Sequence, residues 1–374
     1  NNFLKKDELG KEPFYPLKLF YCNKCSLAQI NHTVKKEIMF SDHTYLSGIT
    51  KSLSDHFKNV RNNIILKFCN NEKKFFSILD IGSNDGTFLK HFKKLKWKIL
   101  GIESSKRIAK IANDNKIKTL RYFFNYKVAK RIKSKFDFIN ASGIFFHLEE
   151  LHSFTKGVKY LLKKKGVFII QFLYMKKIIE NGAFDQIYHE HLLYYNLKTL
   201  QFLLDKFNLE IFDAELTKIH GGQMIAYVTH KNSMKKTKKL KEFIDLEKKS
   251  MCNEKKNYRL FANKVKKIKD QNLKFLRQCK KQGKIVYGMG APVKGNTLLN
   301  FFKIDTKLIP LLLEKNPFHF RVCFLYKYSS ILALLLLCFL KAYITILTPH
   351  PHHTRIHLFL YLSFSFLFFF SVHP

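Results

Sequence analysis

Apolar runs and helical segments alternate through the middle of the chain, from about residue 47 to residue 230. The runs are short and rich in Ile, Leu and Phe, and most are followed by a stretch with apolar residues at helical spacing. Buried parallel strands that feed helices show this pattern, which predicts a doubly wound α/β sheet. The predicted strands are residues 75–80, 98–102, 136–141 and 166–172, and the clearest helices are residues 105–115 and 151–163.

The segments on either side of this core have different patterns. Residues 1–46 contain scattered prolines and a Cys-x-x-Cys turn, which predict a small loop-rich module. Residues 235–281 are rich in Lys and Glu with apolar residues at helical spacing, and they predict one or two long amphipathic helices.

A second α/β unit is predicted to follow these helices. A strand at residues 284–287, a Gly-rich turn at 288–295 and a helix starting near Asn296 are typical of the opening of a nucleotide-binding unit. The pattern stops near Pro317, so residues 231–317 are predicted to form an incomplete C-terminal Rossmann-like domain.

The composition changes abruptly after Pro317. Residues 318–374 contain apolar runs at 331–340 and 357–372, both shorter than the about 20 residues that span a membrane. A membrane anchor is one interpretation of this tail. We favour an aberrant reading frame, because the α/β pattern is lost at the same point, and we leave the tail out of the functional hypothesis.

Charge and cysteine content change this picture little. The formal net charge is +39, from 67 Lys and Arg against 28 Asp and Glu. The excess is mostly Lys spread along the chain, so we expect solvated surfaces and no nucleic-acid partner. Seven mostly isolated cysteines do not form a disulfide framework, which favours a reducing compartment and a cytoplasmic location.

The loop after the first predicted core strand has the character of a cofactor site. Asp80 ends the strand, and Gly82 and Gly86 allow the backbone to approach a ligand closely. Glu103 ends the next strand and can accept both hydroxyl groups of a ribose. The loop is not GxGxxG, and acidic side chains suit a cation better than a pyrophosphate. These features favour S-adenosylmethionine, and the residues predicted to hold it are Asp80, Gly82, Asn84, Asp85, Gly86 and Glu103.

Two further runs carry candidate chemistry. Tyr188-His189-Glu190-His191 places two imidazoles, a carboxylate and a phenol in succession, and His is suited to proton abstraction near neutral pH. A His-x-His metal pair and a solvated polar turn remain alternatives. His220-Gly221-Gly222 offers backbone N–H groups to an anion such as a pyrophosphate, although a hairpin connection explains it almost equally well.

Together these motifs resemble the sugar-nucleotide C-methyltransferases, which methylate carbon 3 of a thymidine-diphosphate 4-keto-deoxyhexose in deoxysugar biosynthesis. The resemblance covers about residues 15–317. Its motifs are Pro16-Leu17 with Cys22-x-x-Cys25, the Asp80–Gly86 loop, Tyr188-His189-Glu190-His191, His220-Gly221-Gly222, and Tyr287-Gly288 with Lys294-Gly295-Asn296.

The resemblance implies three parts: a small zinc module, a class I S-adenosylmethionine-dependent methyltransferase core and a C-terminal Rossmann-like domain, with the sugar nucleotide bound between the last two. It implies that His191 removes the proton next to the ketone. The residues implied to line that site are Tyr188, Glu190, His147 and Tyr45. Those implied to bind the rest of the substrate are His220, Gly221, Gly222 and Lys294.

The chain departs from the family's pattern at several positions. The zinc module of the family uses two Cys-x-x-Cys pairs, and only Cys22 and Cys25 occur here, so a structural zinc would have two of its four ligands. We expect the first pair to precede Asn1. The strand that in relatives ends Ala-Asn-Asn ends Ala141-Ser142-Gly143, and Gln171 stands where a carboxylate is expected.

These departures leave two alternatives to the C-methyltransferase hypothesis. One is a methyltransferase fold that acts on another anionic substrate such as RNA, and the other is a non-catalytic, truncated remnant.

Overall fold

The computed structural model describes residues 13–41, 45–69, 75–289, 293–313, 357–359 and 368–372. Among the described helices, none combines the length and apolar character that a membrane crossing requires. The chain forms two compact units. The larger unit comprises Tyr15–Glu180 and Tyr188–Arg259, and the smaller unit comprises Asn1–Phe14, Asn181–Ile187 and Leu260–Pro374. The predicted domain boundaries at residues 46, 230 and 317 stay predictions.

The larger unit begins with a hairpin of β1 (Leu19–Tyr21) and β2 (Ala28–Ile30). Its turn carries Cys22 and Cys25 and is closed by the backbone N–H of Cys22, which donates to the Leu27 carbonyl over 2.9 Å. Strand β2 also pairs antiparallel with a short strand, Leu193–Tyr194, which directly follows the predicted catalytic run. The hairpin is therefore attached to the backbone next to that run.

A seven-stranded sheet forms the centre of the larger unit. Its strand order is β5-β4-β3-β6-β7-β10-β9. Strand β8 is the short strand Leu193–Tyr194 that pairs with β2, and it does not belong to this sheet. The strands from β5 to β7 run parallel, and β10 runs antiparallel to both β7 and β9. The strands are β3 (Ser77–Ile81), β4 (Lys98–Glu103), β5 (Thr119–Arg121), β6 (Phe136–Ser142), β7 (Leu162–Leu173), β9 (Leu209–Thr217) and β10 (Gln223–His230).

The predicted α/β sheet is confirmed, and its antiparallel edge is an addition. The connection between β9 and β10 is a short turn around Ile219–Gly221, which is too short for a parallel crossover, so the two strands form a hairpin. Strand β7 begins at Leu162, four residues before the predicted start at Gly166. The prediction was wrong there because Lys164 and Lys165 are exposed on the part of the strand that extends beyond the core.

Helices cover both faces of this sheet. The predicted helices 105–115 and 151–163 are confirmed, although the second ends at Leu161, where β7 takes over. The helices of the larger unit are α1 (Lys36–Phe40), α2 (Lys51–Phe68), α3 (Thr87–Lys90), α4 (Lys106–Asp114), α5 (Tyr126–Arg131), α6 (Leu151–Leu161), α8 (Leu197–Asp205) and α9 (Lys238–Lys249), and α7 (Met175–Asn181) ends at its boundary.

Helix α2 packs on one face of the sheet through apolar and polar contacts. Phe57, Val60 and Ile64 enter a core cluster with sheet residues that include Phe138 and Ile169. Nearer the end of the helix, the Lys67 ammonium lies 2.6 Å from a carboxylate oxygen of Asp213 on β9, and Asn63 donates to Glu215 over 3.1 Å. These polar contacts fix the position of α2 along β9.

Helix α9 is joined to α8 by a buried carboxylate. Glu247 accepts hydrogen bonds from the backbone N–H groups of Leu197 (2.6 Å) and Lys198 (3.2 Å), which satisfies donors in the first turn of α8. Burial raises the pKa of Glu247, and these hydrogen bonds oppose that shift. The long amphipathic helices predicted for residues 235–281 are confirmed as α9 and α10 (Lys255–Lys281).

The smaller unit contains a four-stranded sheet of order β12-β11-β14-β13. The predicted strand at 284–287 is β11 (Ile285–Met289), and the helix predicted from Asn296 begins three residues earlier, as α11 (Val293–Phe302). Part of the Gly-rich turn, residues 290–292, lies outside the described residues. The other strands are β12 (Leu312–Leu313), β13 (His357–Phe359) and β14 (Phe368–Val372).

Strands β13 and β14 come from the apolar tail. Strand β14 pairs antiparallel with both β11 and β13, and β12 pairs parallel with β11. The run at 331–340 lies outside the described residues, and an aberrant reading frame for 318–374 stays a prediction.

Candidate active site

The predicted cofactor loop follows β3 at the carboxyl edge of the sheet. Gly82 has φ +73° and Gly86 has φ +81°, so both adopt the left-handed conformation that glycine tolerates best. A Cβ on Gly82 would lie 2.5 Å from Cγ2 of Ile144, which means that no larger residue fits without a shift. The loop is held against β4, because the N–H groups of Gly82 and Ser83 both donate to the Ile102 carbonyl.

A buried carboxylate lies at the base of this loop. Asp80 is 3 % exposed, and the side-chain amide of Asn140 on β6 donates to its Oδ1 over 2.7 Å. The Ser142 hydroxyl donates to Oδ1 of Asn140 over 2.9 Å, which orients that amide towards Asp80. Burial raises the pKa of Asp80 to about 7, against the Asn140 hydrogen bond and with help from the Glu103 charge.

Glu103 is fixed by backbone donors on both of its oxygens. The N–H of Ser105 donates to Oε1 over 2.9 Å, and the N–H of Asn84 donates to Oε2 over 3.0 Å. Burial raises the pKa of Glu103, although these hydrogen bonds act in the opposite direction. Oε1 also accepts from the Ser104 hydroxyl group over 3.3 Å, whereas Oε2 retains a lone pair that can accept from a ligand hydroxyl group.

The loop fits the predicted S-adenosylmethionine. The hydroxyl groups of Ser83 and Ser105 are buried and have no hydrogen-bond partner among the described residues. Ser83 belongs to the cofactor loop and Ser105 follows Glu103 by two residues, and both provide polar atoms for a ligand with ribose hydroxyl groups. The acidic groups Asp80 and Glu103 suit a molecule that carries an ammonium and a sulfonium charge.

Asn84 and Asp85 use their side chains to hold the Tyr45–Gly48 segment. The Asn84 amide donates to the Tyr45 carbonyl over 3.0 Å and accepts from the Ser47 N–H over 2.9 Å. Asp85 accepts from the Gly48 N–H over 2.9 Å. Direct contact of Asn84 and Asp85 with the cofactor stays a prediction, and the described geometry shows them positioning the segment that carries Tyr45.

Replacing Asn84 with Gly tests this positioning role. Asn84 has φ +50°, which glycine adopts readily, so the variant removes the side-chain hydrogen bonds without straining the backbone. We expect the Ser47 amide hydrogen to exchange roughly fivefold faster in hydrogen-exchange mass spectrometry, since one hydrogen bond contributes about 1 kcal/mol. Asn208→Gly is the matched control, because Asn208 also has positive φ (+51°) and is exposed. Equal exchange at Ser47 in Asn84→Gly and the parent protein would contradict the assignment.

The predicted catalytic residues come together at the end of the turn Phe145–His147. His191 is 5 % exposed, with the Tyr188 ring 4.1 Å and the His147 ring 5.3 Å from its own ring centroid. The Phe146 ring meets His191 edge-on at 4.8 Å. The backbone joins these two segments, since the N–H of Leu192 donates to the Phe146 carbonyl over 2.8 Å.

Glu190 contributes to this cluster through its main chain. The Nδ1 atom of His147 is hydrogen-bonded to the Glu190 carbonyl oxygen, which accepts. Nδ1 therefore carries the hydrogen, and Nε2 of a neutral His147 is left as an acceptor. His189 points elsewhere, because its Nε2 lies 3.2 Å from the Pro16 carbonyl oxygen at the N-terminal hairpin.

The remaining predicted residues belong to other segments of the chain. Tyr45 is 47 % exposed, and partial burial together with the nearby Asp85 charge raises its pKa. Gly221 and Gly222 form the turn before β10, and a Cβ on Gly222 would lie 3.3 Å from the Lys177 side chain. Lys294 belongs to the smaller unit, where burial lowers its pKa and the charge of Asp185 opposes this shift.

Cys22 and Cys25 lie together in the hairpin turn. Hydrogen bonds from the backbone of Cys25 lower the pKa of the Cys22 thiol, while burial raises that of Cys25. Within the described part of the chain, no group of three or more His, Cys, Asp or Glu side chains could hold a metal ion. Two thiols supply half of a tetrahedral zinc site, so the described residues do not by themselves fit a structural zinc.

Sequence reasoning missed three polar side chains at the carboxyl edge. Asn140 holds Asp80, while His56 on α2 and Gln223 on β10 are both hydrogen-bonded to Gln171. A polar residue near the end of an otherwise apolar strand was a usable signal for Asn140, near the carboxyl end of β6, and for Gln223, at the amino end of β10. His56 lies beside Phe57 on an amphipathic helix and gave no such signal.

Three protein families match consecutive parts of the chain. Residues 1–40 match a zinc binding domain, residues 45–214 match a methyltransferase domain, and residues 218–324 match a C-methyltransferase C-terminal domain.

Curated proteins and many solved structures are similar to the chain. The C-methyltransferase NovU of Streptomyces niveus is 25% identical over 298 residues, which cover 79% of this chain and 70% of NovU. The ubiquinone biosynthesis O-methyltransferase of Pelagibacter ubique is 32% identical over 128 residues, covering 32% of this chain and 50% of that protein. The magnesium protoporphyrin IX methyltransferase of Synechocystis was solved with bound SAH and is 11% identical to this chain, with a TM-score of 0.39. The match covers 49% of this chain and 88% of the Synechocystis protein.

The family matches agree with the sheet order and with the loop between Asp80 and Gly86. The resemblance drawn from the sequence motifs is therefore confirmed. The chain is therefore an S-adenosylmethionine-dependent methyltransferase, and its sequence is similar to that of the C-methyltransferase NovU.

Proposed function

We propose that the protein methylates the carbon next to the ketone, carbon 3, of a nucleotide-linked 4-keto-deoxyhexose. The observation that carries this proposal is the buried His191, packed between the rings of Tyr188 and His147 in the unit that holds the cofactor loop. The similarity to NovU and to the C-methyltransferase C-terminal domain supports carbon as the methyl acceptor.

The proposed chemistry begins with proton removal by His191. A ketone makes the adjacent carbon acidic enough for an imidazole to take its proton, and the electron pair of the C–H bond moves to form an enolate. When bound, S-adenosylmethionine supplies a methyl group that the enolate carbon can attack. Tyr188 and the Nε2 atom of His147 are placed to bind polar groups of the substrate beside His191, while Phe146 shields the imidazole from water.

The cofactor loop supports this reaction by binding and orientation. Asp80 and Glu103 are buried carboxyl groups that can each carry a negative charge. The side-chain amide of Asn140 holds Asp80, and backbone N–H groups hold Glu103. We assign the ammonium of the methionine part to the Asp80 side and the ribose to Glu103. Gly221, Gly222, Lys294 and His220 stay proposed contacts of the nucleotide part of the substrate.

Zinc and cellular location belong to the same proposal. The match of residues 1–40 to a zinc binding domain supports a structural zinc on Cys22 and Cys25, with further ligands from outside the described residues. We place the reaction in the cytoplasm, because seven mostly isolated cysteines do not form a disulfide framework.

Isotope transfer tests the function directly. The protein is incubated with S-adenosylmethionine carrying a ¹³C-labelled methyl group and with a thymidine-diphosphate 4-keto-6-deoxyhexose, and the product is examined by NMR. We expect a methyl signal bonded to carbon 3. We also expect exchange of the carbon 3 hydrogen with deuterated water before transfer, because His191 removes that proton. Label on oxygen, or none from a protein that binds the cofactor, would overturn the proposal.

A further inference from the structure

A chain of polar side chains crosses the face of the sheet that α2 covers. Nε2 of His56 lies 2.8 Å from Oε1 of Gln171 on β7, and the Gln171 amide nitrogen donates to Oε1 of Gln223 over 2.5 Å. The hydroxyl oxygen of Thr217, at the end of β9, lies 3.5 Å from Nδ1 of His56. Gln171 is 3 % exposed and Gln223 is 2 % exposed, so their hydrogen bonds are formed away from bulk water.

The order of donors and acceptors in this chain is determined by Gln171. Its carbonyl oxygen can only accept, so Nε2 of His56 carries the hydrogen and donates. Nδ1 of a neutral His56 is then an acceptor, which suits a hydroxyl donor on Thr217. Burial lowers the pKa of His56, in agreement with a neutral ring. The second hydrogen on the Gln171 amide nitrogen has no acceptor among the described residues.

Open space lies beside Gly143, which is hydrogen-bonded to Gln171 at the carboxyl edge of the sheet. Ser142 is the register partner of Gln171 on β6, and the N–H of the next residue, Gly143, donates to the Gln171 main-chain carbonyl over 3.1 Å. Gly143 has φ +73°, and apart from its two neighbours in the chain no described residue has an atom within 4 Å of the position that its Cβ would take. The turn that carries His147 begins two residues later, at Phe145. Ligands of open α/β sheets bind at this edge.

We propose that Gln171 determines which substituent the acceptor sugar carries on the reacting carbon. Its amide nitrogen presents a donor, and its carbonyl oxygen is engaged by His56. A hydroxyl or carbonyl oxygen offers the lone pair that this donor needs. An ammonium group offers only donors and a positive charge, so the site selects a hydroxylated keto sugar over its amino counterpart. This inference rests on the proposed function and makes its substrate more specific.

His56 is the positioning residue in this arrangement. Its Nε2–H holds the Gln171 carbonyl towards α2, and this leaves the amide nitrogen on the side of β10. Without that donor, Gln171 can rotate and present its oxygen instead. Removing the imidazole should therefore weaken the substrate preference, in addition to any loss of stability.

Competition between two substrates tests the proposal. The intact protein is offered equal amounts of a thymidine-diphosphate 4-keto-deoxyhexose with a hydroxyl group at carbon 3 and its 3-amino counterpart. We expect the parent protein to favour the hydroxyl sugar about a hundredfold. Gln171→Glu supplies a carboxylate that accepts from an ammonium, and it should reduce or invert this ratio. The ratio from a single mixture does not depend on how much of a variant is folded.

Two further variants make the test specific. Gln29→Glu adds the same charge at an exposed position of β2 and should leave the ratio unchanged. His56→Leu should bring the ratio towards one, which a purely structural role of His56 would not do. The inference would be overturned if the parent protein used the hydroxyl sugar and the amino sugar equally, or if Gln171→Glu had the same ratio of use as the parent protein.

Calorimetry separates this inference from the proposed function. The affinities of the two sugar nucleotides are measured in the presence of S-adenosylhomocysteine, where no turnover is needed. If the parent protein binds the hydroxyl sugar more tightly and Gln171→Glu reverses this, the inference holds even for a protein that transfers no methyl group to carbon. If methyl transfer to carbon occurs but both sugars bind equally, the proposed function stands and the inference fails.

Discussion

Replacing His191 with Asn is expected to lower kcat for carbon methylation about 10³-fold, the range by which a positioned general base accelerates proton transfer. Asn keeps the polarity and much of the volume of the side chain but cannot take a proton near neutral pH. The ring contacts described for His191 are with Tyr188, His147 and Phe146, and none of these three is among the residues assigned to the cofactor. The dissociation constant of S-adenosylmethionine should therefore stay unchanged.

Two measurements accompany this variant. Exchange of the carbon 3 hydrogen with deuterated water should be lost with turnover, because both depend on the same proton removal. His189→Asn is the matched control, since its imidazole lies at the Pro16 carbonyl and outside the His191 cluster. If His191→Asn still exchanges the carbon 3 hydrogen at the parent rate, another group is the base.

Replacing Asp80 with Asn is expected to weaken S-adenosylmethionine binding about tenfold to a hundredfold above pH 8, since hydrogen bonds to charged groups contribute about 1.5–3 kcal/mol. Below pH 7 the parent protein should lose affinity as well. Its Asp80 has a pKa of about 7 and becomes neutral as the pH falls, so a cationic ligand must then displace a proton. The amide introduced by Asp80→Asn cannot ionise, and the affinity of the variant should vary little between pH 6 and pH 8. Titration calorimetry at several pH values measures both effects.

The same variant should be more stable than the parent protein without cofactor. The pKa of Asp80 is raised from 3.8 to about 7 on folding, so the folded state binds the proton more tightly than the unfolded state. The contribution of Asp80 to the free energy of unfolding therefore falls as the pH rises from about 4 to about 7, and it stays low above that range. The loss amounts to roughly 4 kcal/mol for a shift of this size. Asp80→Asn avoids it and keeps the acceptor oxygen for Asn140.

Thermal unfolding at pH 8 and pH 5 checks this effect. The variant should unfold at a higher temperature than the parent at pH 8, and the difference should shrink at pH 5. Asp114→Asn is the control for loss of one negative charge, because Asp114 is an exposed partner of Lys110 on α4. A lower unfolding temperature for Asp80→Asn at pH 8 would contradict the assigned pKa shift.

The parts of the fold that depend on neighbours in sequence could be predicted. The strand, glycine turn and following strand from Asp80 to Glu103 form one continuous pattern, and both carboxylates meet at one sheet edge as expected. Tyr188 and His191 are close neighbours in sequence, so their pairing needed no knowledge of distant contacts. The role of His147 came from the family resemblance, and the structure places its ring beside His191.

The parts that depend on distant contacts could not be predicted. The His56, Gln171 and Gln223 chain joins residues 115 and 52 positions apart, and no local pattern records that pairing. The hydrogen bonds of the Asn84 side chain with Tyr45 and Ser47 join residues 39 and 37 positions apart, and no local pattern indicated them. Strand β14 lies in a segment whose composition gave no sign of a partner in β11.

The pairing of β2 with the short strand Leu193–Tyr194 gives the N-terminal hairpin a part in turnover. Ala28 and Gln29 are the register partners of Tyr194 and Leu193, and Leu193 is two residues after His191. A shortened relative that lacked the hairpin would keep every proposed cofactor residue and the proposed general base, yet the backbone that carries His191 would lose its neighbouring strand. Evolutionary loss of this small module is therefore expected to reduce catalysis before it affects cofactor binding.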